Sequence, residues 1–176
     1  MSENDQYRIL TPTEFESLLE NIPKTRLRMV VNAMMFTGMR YEELKKFAGH
    51  LVWLDSSNRA ICIPAKYTKT QRERTIHLTP QFTKELTQYL KEFKTLEVPS
   101  IQSMQVGLER WGSFATPKTF RKTWESWLLF AGYDSLKVAL SQGHSQTIQY
   151  HHYVNMSARL KSDAEKVKKM TEGWGI

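Results

Sequence analysis

Apolar residues recur at helical spacing along most of the chain, and only between Leu51 and Leu78 do they shorten into strand-like runs. Thr11-Pro12-Thr13-Glu14 opens the first predicted helix. Thr11 offers a capping hydroxyl, Pro12 suits the first helical position, and Glu14 completes a capping box. Phe15, Leu18, Leu19 and Ile22 form its apolar stripe, and Pro23 closes it. Leu27, Val30, Val31, Met34 and Met35 mark a second helix that stops at Gly38, with Arg40 just beyond. Tyr41 to Phe47 predicts a short third one.

The period then changes. Leu51-Val52-Trp53-Leu54, Arg59 to Ile63 and Arg74 to Leu78 read as short strands. Between the last two, the basic stretch Lys66 to Arg72 reads as a turn, so a small antiparallel sheet with Lys69 on a hairpin is expected. Helical spacing returns at Thr79-Pro80, with Phe82, Leu86, Tyr89, Leu90 and Phe93 on one face. Residues 94–115 have no clear period and predict a loop with a short helix. Thr116-Pro117 starts a strong helix carrying Phe120, Trp124, Trp127, Leu128 and Ala131, and Gly132 ends it. A short helix near Leu136 to Ser141 follows, then Gly143-His144-Ser145 and a helical stretch through Tyr153. The lysine-rich tail from Ser157 to Met170 fits a helix or a solvated arm. The expected fold class is mainly α with a small antiparallel β-sheet. One domain is expected over 1–176, with a core at about 11–157 and a basic tail at 158–176.

Charge changes this picture. Twenty-five Lys and Arg face 18 Asp and Glu, a formal net charge of +7. That excess favours a polyanionic partner, because Lys and Arg that meet phosphates release condensed counterions. The single cysteine, Cys62, excludes an intrachain disulfide and fits a buried, inert thiol in a reducing compartment. The polar N-terminus MSENDQYRIL has no signal-peptide pattern, and the apolar run Met29 to Phe36 is too short to span a bilayer. No membrane association and an intracellular location are expected.

Several familiar sites are absent from the sequence: a Gly-rich phosphate loop, paired zinc cysteines, a nucleophile elbow. His144, His151 and His152 cluster, but no carboxylate or thiol stands at metal-site spacing, so neither metal nor cofactor is expected. What remains is a set of cations at element ends, Arg40, Lys69, Lys118 and Arg121, with His144 and Tyr153 late in the chain. Lys118 and Arg121 are three apart on one helix and can project together. A phosphodiester in its transition state needs such a group. Planar Arg donors can hold two phosphorane oxygens, a lysine can protonate the leaving oxygen, and a tyrosine can form a covalent phosphoester.

Spacing alone does not select that chemistry; the motifs do. Thr37-Gly38-Met39-Arg40-Tyr41-Glu42-Glu43-Leu44 resembles the T-G-x-R-x-x-E-L box of tyrosine recombinases. Thr68-Lys69-Thr70 followed by Glu73-Arg74-Thr75-Ile76-His77-Leu78 resembles their catalytic-lysine hairpin. Lys118-Thr119-Phe120-Arg121 stands where that family has H-x-x-R. Gly143-His144, with Tyr153 nine residues on, is similar to its final histidine and nucleophile segment. The likeness runs from about Thr11 to Ser157 in the family's order.

The resemblance implies a lambda-integrase-like catalytic domain that breaks and rejoins double-stranded DNA, as a homo-tetramer on that DNA. It implies Tyr153 as the nucleophile rather than Tyr150. Arg40, Arg121, Lys118 and His144 would hold the phosphate, and Lys69 would act as the acid, with Lys66 and Arg72 as competitors for that role. Glu43 would be a buried partner orienting Arg40. Lys66, Arg72, Arg74 and Lys122 would position DNA phosphates. Three positions depart from the family pattern: Lys118 replaces a histidine, Gln142 an apolar residue, and His77 a proline. Lys118 is similar to the lysine of archaeal spindle-shaped-virus integrases and reads as a charge clamp. A type IB topoisomerase and a non-catalytic DNA-binding relative are the alternatives. Because the chain starts close to the catalytic region, an N-terminal DNA-binding domain is expected to be missing, and DNA binding to be weak.

Overall fold

Thr11 caps the first helix as its sequence predicts. Its hydroxyl accepts from the Glu14 backbone N at 3.2 Å, and Glu14 Oε2 accepts from Thr11 N at 3.3 Å. The computed structural model describes residues 8–144 and 157–175. Helix α1 spans Pro12–Asn21, α2 Thr25–Thr37 and α3 Tyr41–Ala48. Strands β1 (Leu54–Asp55), β2 (Ala60–Ile63) and β3 (Arg74–His77) form one antiparallel sheet in that order, with Ile63 opposite Arg74 and Ala60 opposite His77. Helices α4 (Pro80–Phe93), α5 (Ile101–Arg110), α6 (Pro117–Phe130) and α7 (Ser135–Gln142) follow. A C-terminal helix covers Ala164–Thr171. The fold class is the expected one, mainly helical with a small sheet.

Helix α2 is buried because its apolar residues surround the axis, whereas α6 buries a broad apolar stripe. Met29, Val30, Val31, Ala33, Met34 and Met35 fill α2; Phe120, Trp124, Trp127 and Leu128 fill α6. Phe36 meets Trp124 edge to face at 5.3 Å, and Phe15 meets Phe36 and Trp127 at 5.7 and 6.1 Å. Burying each such side chain contributes ~1.5–3 kcal/mol. Trp127 does so without stranding its N–H, which donates to Leu10 O at 3.0 Å. Trp124 and Trp127 are therefore core residues, as their helical spacing predicts, and are not available to stack on bases.

Residues 94–115 are the expected loop with a short helix, the ten-residue α5, whose period is hard to see because only Met104 and Leu108 are buried on it. Three expectations change. Leu51–Trp53 is a 3-10 turn instead of a strand, and only Leu54–Asp55 pairs with β2. Cys62 is half-buried, since it pairs with Thr75 on the sheet face opposite to that of Ile61 and Ile63. The tail is no solvated arm: Leu160, Val167 and Trp174 join the core. Trp174 Nε1 donates to His77 O at 3.0 Å, and its ring meets His77 and Tyr133 edge to face. The expected helix through Tyr153 lies outside the described residues. Among the described residues no helix is long and apolar enough to cross a membrane.

Candidate functional site

The turn between α2 and α3 shows why its sequence is Thr-Gly-Met-Arg. Thr37 is buried; its hydroxyl bonds Ala33 O at 2.5 Å and accepts from Met39 N at 3.1 Å, which closes the helix end. Gly38 takes a left-handed φ of +62°. A Cβ there would also stand 2.1 Å from the Gln142 amide nitrogen. The chain then reverses so that Arg40 caps α3. Glu43, one turn on, is 6% exposed and accepts from the Arg40 backbone N at 2.9 Å and from its Nη1 at 3.2 Å. Glu43 is thus the buried partner of Arg40 that the motif suggested.

That carboxylate also serves Arg74, whose Nη1 lies 2.6 Å from Glu43 Oε1. Arg74 is 7% exposed, and its Nε and Nη2 have no hydrogen-bond partner. Arg74, expected to position DNA phosphates, is delivered inward by β3 at the pair Ile63–Arg74. Arg121, on α6, completes the group. Its Nη1 donates to Gly38 O at 2.8 Å and its Nη2 to Gln142 O, so it ties the α2–α3 turn to the end of α7. Burial first, then the charges of Arg40 and Arg74, pull the Arg121 guanidinium down to about 9, against partial relief from Glu43 and Glu125. It is still protonated at neutral pH. Three guanidiniums against two carboxylates leave an excess of positive charge that an anion would stabilise.

The C-terminal end of α7 borders this group. Gly143 lies against Arg74, where a Cβ would stand 3.0 Å from Arg74 Cδ. His144 follows, and its Nε2 lies 3.0 Å from Oε2 of Glu125. Glu125 is 2% exposed. The sequence reading missed it, though its signal was present: it sits one helical turn after Arg121. Gln142 is fully buried and both of its amide atoms lack partners. An unsatisfied buried amide costs ~1–3 kcal/mol. Gln142→Met, which keeps length without branching, is therefore expected to raise unfolding stability by about 1 kcal/mol in urea titrations. A loss of stability would show that the amide has partners.

Lys69 stands exposed on the 64–73 connection between β2 and β3, with Lys66 and Arg72 also exposed there. The connection is longer than a tight hairpin and is held from within. The Thr68 hydroxyl is within hydrogen-bond distance of Ala65 O and Arg72 O and accepts from Arg72 N at 3.1 Å. Tyr67 anchors its base against His50 and Trp53, whose rings stack at 4.5 Å. This aromatic anchor also escaped the sequence reading. Because the connection ends at Arg74, it leaves the sheet beside the guanidinium group.

Lys118 is exposed in the first turn of α6. Lys122, one turn on, is half-buried, and burial followed by the neighbouring Lys118 charge lowers its pKa. Tyr153, Tyr150, His151 and His152 lie outside the described residues. Among the described residues no set of three or more His, Cys, Asp or Glu is placed to hold a metal.

No protein-family model and no curated protein matches the chain. Solved structures do. It is similar to the XerA recombinase (TM-score 0.67, 19% identity, 93% of this chain and 64% of that one). The Tn1549 transposon integrase in complex with transposon right end DNA aligns with TM-score 0.68 and 17% identity, over 91% of this chain and 66% of that one. The integrase of mycobacterium phage Brujita aligns with TM-score 0.63 and 16% identity, over 93% and 57%. The chain spans less than two thirds of the length of each of these proteins. At such identity the likeness shows the fold, which is that of a tyrosine recombinase catalytic domain.

Proposed function

We propose that this chain is the catalytic part of a site-specific tyrosine recombinase or integrase acting on double-stranded DNA. The observation that carries the reading is the convergence of Arg40, Arg74 and Arg121 around the Glu43 carboxylate. Anionic oxygens are what such a group lacks. Tyr153 attacks the scissile phosphorus, giving a 3′-phosphotyrosine and a free 5′-hydroxyl. Arg40, Arg121, Lys118 and His144 stabilise the phosphorane, and Lys69 protonates the leaving 5′-oxygen. Attack by a second strand's 5′-hydroxyl reverses the step. The ester keeps the bond energy, so the scheme draws on no metal or cofactor.

Integration of viral or mobile-element DNA inside a host cell, as a tetramer on the DNA, is the biological form of this reading. Lys118 supports kinship with spindle-shaped-virus integrases. Lys66, Arg72 and Lys122 contact flanking phosphates. The same lysine substitution favours a second reading, a non-catalytic DNA-binding relative, because the family's histidine is gone.

Incubation with a nicked suicide duplex separates the two. The expected result is an SDS-stable protein–DNA adduct that forms in chelator as well as in buffer. Binding by folded protein with no adduct would favour the non-catalytic reading. Binding itself is expected to be weak and to fall steeply with salt, by about one power of salt per phosphate contact. Affinity unchanged between low and physiological salt would argue against phosphate-led binding.

A further inference from the structure

The proposed acid stands on a part of the chain that does little by itself to hold it. Lys69 is exposed on the 64–73 connection, and the Thr68 hydroxyl bonds that shape this connection are internal to it. A general acid must come within hydrogen-bond reach of the oxygen it protonates, and a misplacement of about 1 Å can cost ~10²-fold. Something outside the connection has to fix it. Among the described residues, the hydrogen bonds between the 64–73 connection and elements outside the sheet all run through Tyr67.

Tyr67 is held at its ring, its carbonyl and its hydroxyl. The ring packs against His50 and Trp53 at 4.9 Å from each, while those two stack on one another. The carbonyl accepts from Lys46 Nζ at 3.2 Å, and the hydroxyl lies 3.3 Å from His50 Nε2. His50 Nδ1 faces Lys46 O at 2.8 Å. A carbonyl only accepts, so in the neutral ring Nδ1 carries the hydrogen and Nε2 accepts from Tyr67. The seat is firm because Trp53 is 9% exposed and belongs to the core. Lys46 lies in the last turn of α3, and His50 stands two residues past that helix. Arg40 caps its other end, ~12 Å away along eight residues. One short helix thus carries the first arginine of the motif at one end and the seat of the Lys69 connection at the other.

We infer that Tyr67 is a positioning residue for the acid step, seated by Lys46, His50 and Trp53 so that Lys69, two residues on, is presented in a set place relative to Arg40. This rests on the reaction proposed above, in which Lys69 protonates the leaving oxygen. As the P–O5′ bond breaks, its electron pair stays on the 5′-oxygen, which takes a proton from the Lys69 ammonium and leaves a neutral amine. On religation the 5′-hydroxyl returns that proton. A clasp that only stabilised the sheet would matter equally for every leaving group. A clasp that places the acid matters only where the leaving group needs a proton.

Single-turnover adduct formation on two nicked suicide duplexes tests the assignment, one with the ordinary scissile phosphate and one with sulfur in place of its bridging 5′-oxygen. A thiol ionises near pH ~8.5, far below an alcohol, so the sulfur leaves as a thiolate without an acid. Tyr67→Ala is expected to slow the oxygen substrate ~10–10²-fold, part of the ~10²–10⁴-fold that a general acid contributes, and to stay within about threefold of wild type on sulfur. Lys69→Ala should show the same split with a larger loss. Combined with Tyr67→Ala, it should be no slower on oxygen than alone. Tyr67→Phe keeps the ring and the carbonyl bond and should lose only a few-fold. Where Tyr67→Ala does not fold, Tyr67→Phe and His50→Ala carry the same comparison. A folded Tyr67→Ala protein as fast as wild type on oxygen, or equally slowed on both substrates, overturns the assignment alone. Lys69→Ala equally slowed on both, or wild type without an adduct on either, sinks the proposed reaction and this assignment with it.

Discussion

Arg121→Ala is expected to slow adduct formation on suicide DNA by roughly 10²–10³-fold, the usual loss when one preorganised donor to a developing oxyanion is removed. Arg121 is held by two backbone carbonyls from different elements, Gly38 O and Gln142 O, so its direction is set before any ligand arrives. Burial, then the charges of Arg40 and Arg74, pull it down to about 9. An incoming phosphate relieves that pull. Its removal relieves it too, while leaving two carbonyls without a donor, so stability should move by no more than about 2 kcal/mol. Arg121→Lys keeps a charge but cannot span both carbonyls, and should recover only a small part of the rate. An Arg121→Ala protein within threefold of wild type would remove the guanidinium group from the mechanism.

Glu43→Ala is expected to cost ~3–5 kcal/mol of stability. The reason is what stays behind. Arg74 is 7% exposed, its Nε and Nη2 already lack partners, and Glu43 is its counter-charge. Removing the carboxylate leaves a buried cation beside Arg40 and Arg121. Domains of this size hold ~5–15 kcal/mol in total, so the variant should unfold at much lower urea. Adding Arg74→Met in the same chain should recover a large share, because the orphan charge is gone. A Glu43→Ala loss below about 1 kcal/mol would mean that Arg74 finds water or another acceptor.

Local rules made much of the framework legible. Thr11 and Glu14 announce α1, and Gly38 and Arg40 announce a helix stop followed by a cap, because each is decided within four residues of chain. What depended on distant approach was not legible. Glu125 is an unremarkable acidic residue until α7 brings His144 to it. Arg74 reads as one more basic residue near a turn until Glu43, 31 residues earlier, takes it inside. Trp174 looks like part of a polar tail, and its seat is made by His77 and Tyr133 from two other regions. Gln142 shows the limit in the opposite sense. The family pattern marks it as unusual, and the structure shows its amide buried without partners.

The central claim is that an anion pocket built on Arg40 and Arg121 serves a tyrosine nucleophile. Its most direct test is to trap the adduct on nicked suicide DNA, digest it, and identify the residue that carries the nucleotide. The account predicts a phosphotyrosine at Tyr153, absent in Tyr153→Phe and retained in Tyr150→Phe. An adduct at another residue, or an undiminished adduct in Tyr153→Phe, would contradict it.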